Sequence, residues 1–165
     1  MSVLLMIIGI VAVDRNGAIG KGGKLPWHYA ADMKFFKKTT TGNACVMGYN
    51  TWLTLKNPLP NRLNIVLSRQ AEIAPQDSLV VLRDVDSVLA MAKVLKTELF
   101  VIGGARVYES FLPYIEKWIV TEVPLIVDGA DTFVPDDYLN GFVVADSQKL
   151  DGDLTVTSYV RPKAA

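Results

Sequence analysis

The sequence predicts an α/β fold, in which a central, mostly parallel sheet of about eight strands is flanked by four helices and ends in an antiparallel C-terminal hairpin. Short runs rich in Val, Ile and Leu alternate with amphipathic stretches, as in a parallel sheet covered by helices. A late Asp-Gly pair between two alternating segments is typical of a hairpin turn. Half of the 165 residues are hydrophobic, which suits a single domain over residues 1–165.

The individual elements follow from apolar periodicity and turn residues. Strands are predicted at 3–13, 44–48, 62–67, 78–82 and 98–103. Helices are predicted at 30–39, 49–56, 84–95 and 104–112. Further strands lie in "KWIVTEV", "FVVADSQKL" and "LTVTSYVRP", the last two joined at Asp151-Gly152. The segments 14–29 and 124–140 are too long for plain connections and are candidate functional loops.

Composition excludes several classes of function. Lysine plus arginine equals aspartate plus glutamate, at 17 each, so the charge pattern of a nucleic-acid binder is lacking. The apolar stretch "VLLMIIGIVAV" is too short to span a bilayer and lacks the basic start of a secretory signal. We therefore expect a cytoplasmic monomer without membrane or nucleic-acid partners.

The lone cysteine and the lone histidine are expected to carry no chemistry. Cys45 lies in the apolar run "ACVMG" and is expected to be a buried, inert thiol, which fits a reducing compartment. His28 is expected in the loop before the first helix. With one residue of each type, no zinc cluster is expected.

The stretch "KLPWHYAADMKFFKK" contains one acid among apolar and basic residues. At about 100° per residue, Asp32 and Phe36 lie about 40° apart on one helix face, whereas Lys34 lies on the opposite side. An acid in the first turn also favours the helix dipole, so a purely structural role is the alternative. The local pattern leaves both readings open.

Three predicted strands end in groups suited to anion binding, at the sheet edge where α/β folds bind ligands. They are followed by Gly103-Gly104 with Arg106, by Gly48 with Asn50 and Thr51, and by Ser68 with Arg69. Each group could equally be a simple turn or cap. The loop "DRNGAIGKGGKLPW" matches neither G-x-G-x-x-G nor a P-loop; its four glycines suit either a mobile lid or a plain surface loop.

With these residues assembled, the chain resembles dihydrofolate reductase over nearly its whole length. The resemblance rests on "GAIGKGGKLPW", "ADMKFFKKTT", "VMGYNTW", "PLPNRLNIVLSRQ", "VIGGARVYESFLP", "IVTEV" and "GADTFVP", in this order. It implies hydride transfer from the cofactor NADPH to C6 of 7,8-dihydrofolate, with protonation at N5. Antifolate inhibitors are then expected ligands as well.

The resemblance also implies roles for individual residues. Asp32 matches the carboxylate that binds the pterin's 2-amino group and N3, Thr121 the threonine that hydrogen-bonds this acid, and Trp27 the aromatic residue that holds a nearby water. Leu25 and the glycine-rich loop are expected to control water entry. Further substrate contacts are expected from Ile10, Val11, Ala12, Met33, Phe36, Leu55, Leu59, Arg62, Ile102 and Tyr108, with Arg62 binding the α-carboxylate of the glutamate tail.

The cofactor segments are matched in the same way. The expected contacts are Ala12, Ala18, Ile19, Gly20, Asn50, Thr51, Ser68, Arg69, Gly103, Gly104, Ala105, Arg106, Val107 and Tyr108. The resemblance further implies a cis Gly103-Gly104 peptide bond. No metal is expected.

Two departures from the family pattern affect specificity and loop closure. Tyr49 stands where a basic residue usually binds the cofactor's 2'-phosphate, so Arg69 is expected to be the chief remaining cation and NADPH preference to be weaker than usual. The short "DGD" hairpin turn replaces a longer loop that contacts the lid, so Asp131 is expected to stabilise closure, although Ala130 shifts this alignment by one residue.

Two rival functions remain. A riboflavin-pathway reductase would need a phosphate-binding set in place of Asp32, Phe36 and Arg62. A catalytically silent nucleotide-binding module would not need Asp32, Thr121 and Trp27 together.

Overall fold

An eight-stranded sheet runs through the computed structural model, which describes residues 5–162. The strands of the described chain are β1 (Ile7–Val13), β2 (Ala18–Gly20), β3 (Ala44–Gly48), β4 (Leu63–Leu67), β5 (Leu79–Leu82), β6 (Leu99–Val101), β7 (Lys117–Glu122), β8 (Thr132–Phe133), β9 (Val143–Leu150) and β10 (Leu154–Val160). The sheet order is β5-β4-β3-β6-β1-β7-β10-β9. The β7–β10 and β10–β9 pairs are antiparallel, and the other five pairs of this sheet are parallel. The predicted fold class is confirmed.

Within residues 5–162, four helices connect the strands, as predicted: α1 (Ala30–Thr40), α2 (Tyr49–Leu53), α3 (Val85–Val94) and α4 (Ala105–Phe111). The prediction of 49–56 for the second helix is too long. The N–H groups of Thr54 and Leu55 bond to carbonyls only three residues back, at 3.0 Å each, and the Thr54 hydroxyl donates to the Thr51 carbonyl at 2.6 Å. This tight turn closes the helix early.

The first strand is shorter than the predicted 3–13, of which residues 3 and 4 lie outside the described part. Pairing starts at Ile7, which is aligned with Leu99. Just before and at this point, the backbone N–H of Met6 donates to the Glu98 carboxylate and that of Ile7 to the Glu116 carboxylate. Side chains therefore satisfy backbone donors where the ladder has not begun.

The two long predicted loops pair with each other instead of remaining irregular. β2 lies in the segment 14–29, β8 lies in 124–140, and they form a two-stranded antiparallel sheet. The prediction of loops over 14–29 and 124–140 is therefore wrong in part, because each segment contains a short strand. In the described chain, no helix is long and apolar enough to cross a membrane.

Apolar residues fill both faces of the main sheet. One core cluster contains Trp118 and Phe111, and the other contains Ile10 and Phe100 with Phe36 of α1 packed against it. Helix α1 is therefore fixed on the sheet by the same turns that carry Asp32. Cys45 is fully buried in this second cluster, as predicted, and burial raises its pKa to about 12, which disfavours the reactive thiolate.

Candidate active site

A half-buried carboxylate lies where α1 faces the end of β7. Asp32 is in the first turn of α1 and accepts a hydrogen bond from the side chain of Thr121. In the sheet, Thr121 is aligned with Ala12 of β1, so three elements meet at this acid. Burial raises the pKa of Asp32, and the hydrogen bond from Thr121 partly opposes this shift.

Apolar side chains surround this carboxylate. Phe36, one turn along α1, packs in the cluster with Ile10, Leu59 and Ile102, while Met33 is 56% exposed beside the acid. Leu25, in the preceding loop, is 62% exposed. The arrangement can hold a flat, apolar ring whose polar edge meets a carboxylate.

Three of the predicted residues are not placed as side chains that simply line the site. The side chain of Val11 is buried in the core cluster of the opposite sheet face, because alternate residues of β1 point to opposite faces, and Val107 of α4 is buried in the same cluster. Only the backbone of Val11 can face a ligand beside Ile10. The indole Nε1 of Trp27 is buried with no hydrogen-bond partner among residues 5–162, so a donor is available in the loop before α1.

Arg62 is fixed at the far end of α1. The side chain is 6% exposed; its Nε donates to the Pro60 carbonyl at 2.9 Å and its Nη1 to the Thr40 Oγ1 at 3.0 Å. The guanidinium carbon lies 5.9 Å from the centre of the Phe36 ring. These contacts orient the cation before any ligand binds, which suits a carboxylate on the same ligand.

The glycines at the carboxyl edge of the sheet lie side by side. β4, β3 and β6 are neighbours, and the Gly48 N–H donates to the Gly103 carbonyl at 2.8 Å. The Gly103-Gly104 peptide bond is cis, as expected. A methyl group on Gly104 would lie 3.8 Å from the Thr51 Oγ1, so the segments that follow β3 and β6 converge. The backbone here is bare enough for close approach by a diphosphate.

The remaining predicted cofactor residues differ in burial and in the element that carries them. Tyr108 is buried, and its hydroxyl donates to the Ile10 carbonyl at 2.7 Å, which joins α4 to the wall of the acid's pocket. The others divide into buried or half-buried positions, Ala12, Ala18, Ile19, Gly20, Thr51, Ser68 and Ala105, and exposed ones, Asn50, Arg69 and Arg106. Leu55 is half-buried after α2, and Tyr49 is 38% exposed at its start.

The glycine-rich segment is tied to the loop that contains β8. The Gly22 N–H donates to the Asp131 carboxylate at 2.9 Å, the Asp131 N–H donates to the Gly20 carbonyl at 3.2 Å, and the Lys21 ammonium donates to the Asp128 carbonyl at 2.7 Å. The expected contact of Asp131 with the candidate lid is thus present. At the other end of this segment, Gly152 of the hairpin turn packs against Tyr29, since a methyl group there would lie 3.1 Å from its ring.

Asp14 holds the two long loops together, and the sequence analysis did not predict this role. It follows β1, is 3% exposed, and accepts backbone N–H bonds from Asn16, Ala18 and Val127 at 2.8, 2.9 and 2.8 Å. One carboxylate thus joins the bases of both long loops. An acid directly after a buried strand and before Asn-Gly is a local signal for such a turn, but the bond to Val127 has no local signal.

Comparisons with known proteins agree with this geometry. A family model described as dihydrofolate reductase matches residues 6–160. The dihydrofolate reductase of Bacillus subtilis is 37% identical over 145 residues, 87% of this chain and 84% of the relative, and that of Neisseria gonorrhoeae is 38% identical over 134 residues, 81% of each. A structure of dihydrofolate reductase from Enterococcus faecalis, complexed with NADP(H) and RAB-propyl, superimposes with a TM-score of 0.83 at 32% identity and covers 96% of this chain and 97% of that one. The chain belongs to the dihydrofolate reductase family.

Proposed function

We propose that this protein catalyses the NADPH-dependent reduction of 7,8-dihydrofolate to 5,6,7,8-tetrahydrofolate, with hydride delivered to C6 and a proton to N5 of the pterin. The observation that carries the proposal is the pairing of Asp32 with Thr121 beside the apolar cluster of Ile10 and Phe36, which Tyr108 links to the glycine-lined sheet edge. The pocket suits a pterin, and the edge suits a dinucleotide. Membership of the family supports both assignments.

Asp32 is proposed to hold the pterin rather than to donate the proton itself. A carboxylate can accept parallel hydrogen bonds from the 2-amino group and N3, and a low-dielectric surrounding strengthens both. Thr121 keeps the carboxylate oriented. Phe36 and Met33 pack on the ring, and Arg62 binds the carboxylate at the other end of the substrate.

The sheet edge fits NADPH because the strand ends at Gly48 and at Gly103-Gly104 lie side by side and carry no side chains that could block a close approach to the backbone. When bound, NADPH supplies the hydride. The bonds that would hold the diphosphate come from backbone N–H groups after β6 and from Thr51, while Ser68 and Arg69 lie nearest the 2'-phosphate. Ile10 and Tyr108 fix the wall between the two ligands.

Proton delivery is proposed to pass through water. The candidate lid with Leu25 controls water entry to the pocket, and Trp27 offers the buried N–H that can hold one molecule near Asp32. The field of the ionised acid favours protonation of the nearby ring nitrogen. We further propose that the enzyme acts as a cytoplasmic monomer and binds antifolates in the pterin pocket.

The test follows the loss of NADPH absorbance with dihydrofolate. The parent should reduce dihydrofolate, whereas Asp32→Asn should lose about 100-fold in kcat/KM. This loss corresponds to about 2.7 kcal/mol of transition-state stabilisation, as expected when a pair of hydrogen bonds loses its charged acceptor. Asp86→Asn is the matched control, because Asp86 also lies in the first turn of a helix but is exposed. No turnover by the parent would overturn the function, and an unchanged rate in Asp32→Asn would overturn the role of the acid.

A further inference from the structure

A single arginine clamps the loop that follows β4. Arg83 comes directly after β5, which is aligned with β4 as far as the pair Leu67 and Leu82. Its Nη1 donates to the Ala71 carbonyl at 2.7 Å and to the Ser68 carbonyl at 3.2 Å. The same donor group therefore joins the first and the last residue of the segment Ser68–Ala71.

Hydrogen bonds of Ser68 also hold this segment. The Ser68 Oγ accepts the Ala71 N–H at 3.0 Å, and the Ser68 N–H donates to the Leu82 carbonyl at 3.0 Å. Ser68 and Ala71 are thereby fixed, and the exposed Arg69 projects from a loop with a defined shape. Because the loop is short, loss of the clamp would release its conformation rather than unfold the sheet.

We infer that Arg83 is a positioning residue for the cofactor's 2'-phosphate, which it serves by holding the Ser68–Ala71 loop in its binding shape. The inference rests on the proposed function, in which Ser68 and Arg69 lie nearest that phosphate. Preorganisation of a loop lowers the entropic cost of binding. It also gives Arg69 a fixed geometry in a chain that has Tyr49, and no cation, at the start of α2.

Arginine suits this role because the two N–H donors of its Nη1 are fixed in the guanidinium plane, which holds both carbonyls in one geometry. Lysine keeps the charge but is a point donor on a flexible stem. The exchange Arg83→Lys thus separates positioning from direct charge attraction. A direct cation would tolerate lysine, whereas a clamp would not.

The experiment measures binding by calorimetry with two probes, adenosine 2',5'-bisphosphate and 5'-AMP, which differ by the 2'-phosphate. For Arg83→Lys and Arg83→Gln alike, Kd for the bisphosphate should rise about fivefold, the effect of one lost charge-assisted bond, and Kd for 5'-AMP should stay within about twofold. In steady-state assays, KM for NADPH should rise with kcat unchanged. Arg161→Lys is the matched control, because Arg161 also donates to two loop carbonyls, those of Ile115 and Leu112, at another site.

A double variant tests the route of the effect. Because Arg83 acts through the loop that carries Arg69, the pair Arg69→Ala and Arg83→Lys should weaken bisphosphate binding by no more than Arg69→Ala alone, within about twofold. Near-parental binding by Arg83→Lys, equal losses for both probes, or multiplied losses in the double variant would each overturn the inference. An unchanged bisphosphate Kd in Arg69→Ala would overturn the inference together with the assignment of Arg69. Absence of dihydrofolate turnover is a separate result, which overturns only the reaction and leaves these binding measurements valid.

Discussion

Replacement of Asp14 tests whether one carboxylate holds the bases of both long loops. Its oxygens accept three backbone N–H bonds, all between 2.8 and 2.9 Å, from a position that is 3% exposed. Asp14→Ala leaves these donors without their acceptor, and at about 1 to 1.5 kcal/mol each the free energy of unfolding should fall by about 3 to 5 kcal/mol. Asp14→Asn should cost less, about 1 to 3 kcal/mol, because its amide oxygen can still serve Asn16 and Ala18 while its amino group opposes the Val127 N–H.

The assay is urea unfolding at pH 7 with the slope m compared among variants. Asp77→Ala, an exposed acid before β5, is the control and should change stability little. A loss below about 1 kcal/mol in Asp14→Ala would refute the clamp. Equal losses in Asp14→Ala and Asp14→Asn would refute the division of the bonds between the two oxygens.

The pH dependence of Asp14 provides a second check. Burial alone would raise its pKa, but the backbone N–H groups of Val127, Ala18 and Asn16 outweigh burial and hold the pKa below the ordinary value. The stabilisation is therefore complete above the unfolded pKa of about 3.9 and is lost as the pH falls through the lower folded pKa. The stability difference between the parent and Asp14→Asn should accordingly shrink below about pH 4.

Two further predictions concern the acid of the pocket and the candidate lid. Burial raises the pKa of Asp32, so its ionised form costs stability as the pH rises through the folded pKa; Asp32→Asn should therefore unfold at a higher urea concentration than the parent at pH 7, and an equal or lower midpoint would contradict this. Asp131→Ala removes the acceptor of the Gly22 N–H, so hydrogen exchange in residues 17–24 should accelerate about tenfold while α3 is unchanged, and equal rates would show that this bond does not hold the lid.

The parts of the fold that were predictable are those set by local pattern. The strand Ala44–Gly48 was predicted at its observed bounds because a fully apolar run is flanked by turn residues. The strands Ala18–Gly20 and Thr132–Phe133 were missed, because two or three residues in glycine-rich sequence carry no periodicity. Their pairing depends on contacts between residues that lie more than 100 positions apart in the sequence, such as the hydrogen bond that the Val127 N–H donates to the Asp14 carboxylate.

In the candidate site, too, local sequence pattern predicts some features and not others. Asp32 and Phe36 share a face that helical spacing alone predicts, whereas the pairing of Asp32 with Thr121 came from resemblance to a family. The resemblance implied Val11 as a ligand contact, whereas strand alternation places its side chain in the core on the opposite face of the sheet. Arg83 escaped notice because an exposed arginine after a strand resembles any solvated cation until its carbonyl partners are known.

Asp14 and Asp32 differ in the acceptor capacity that the fold leaves free. A carboxylate has about four lone-pair positions. Both oxygens of Asp14 accept hydrogen bonds from backbone N–H groups, and its pKa is lowered. The chain itself therefore satisfies this carboxylate. Among residues 5–162, Asp32 has the Thr121 side chain as its partner, and its pKa is raised because burial outweighs that bond. A ligand that presents two parallel N–H donors would fill the acceptor positions that remain free on Asp32. For this reason Asp32, and not the more buried Asp14, is the candidate for binding substrate.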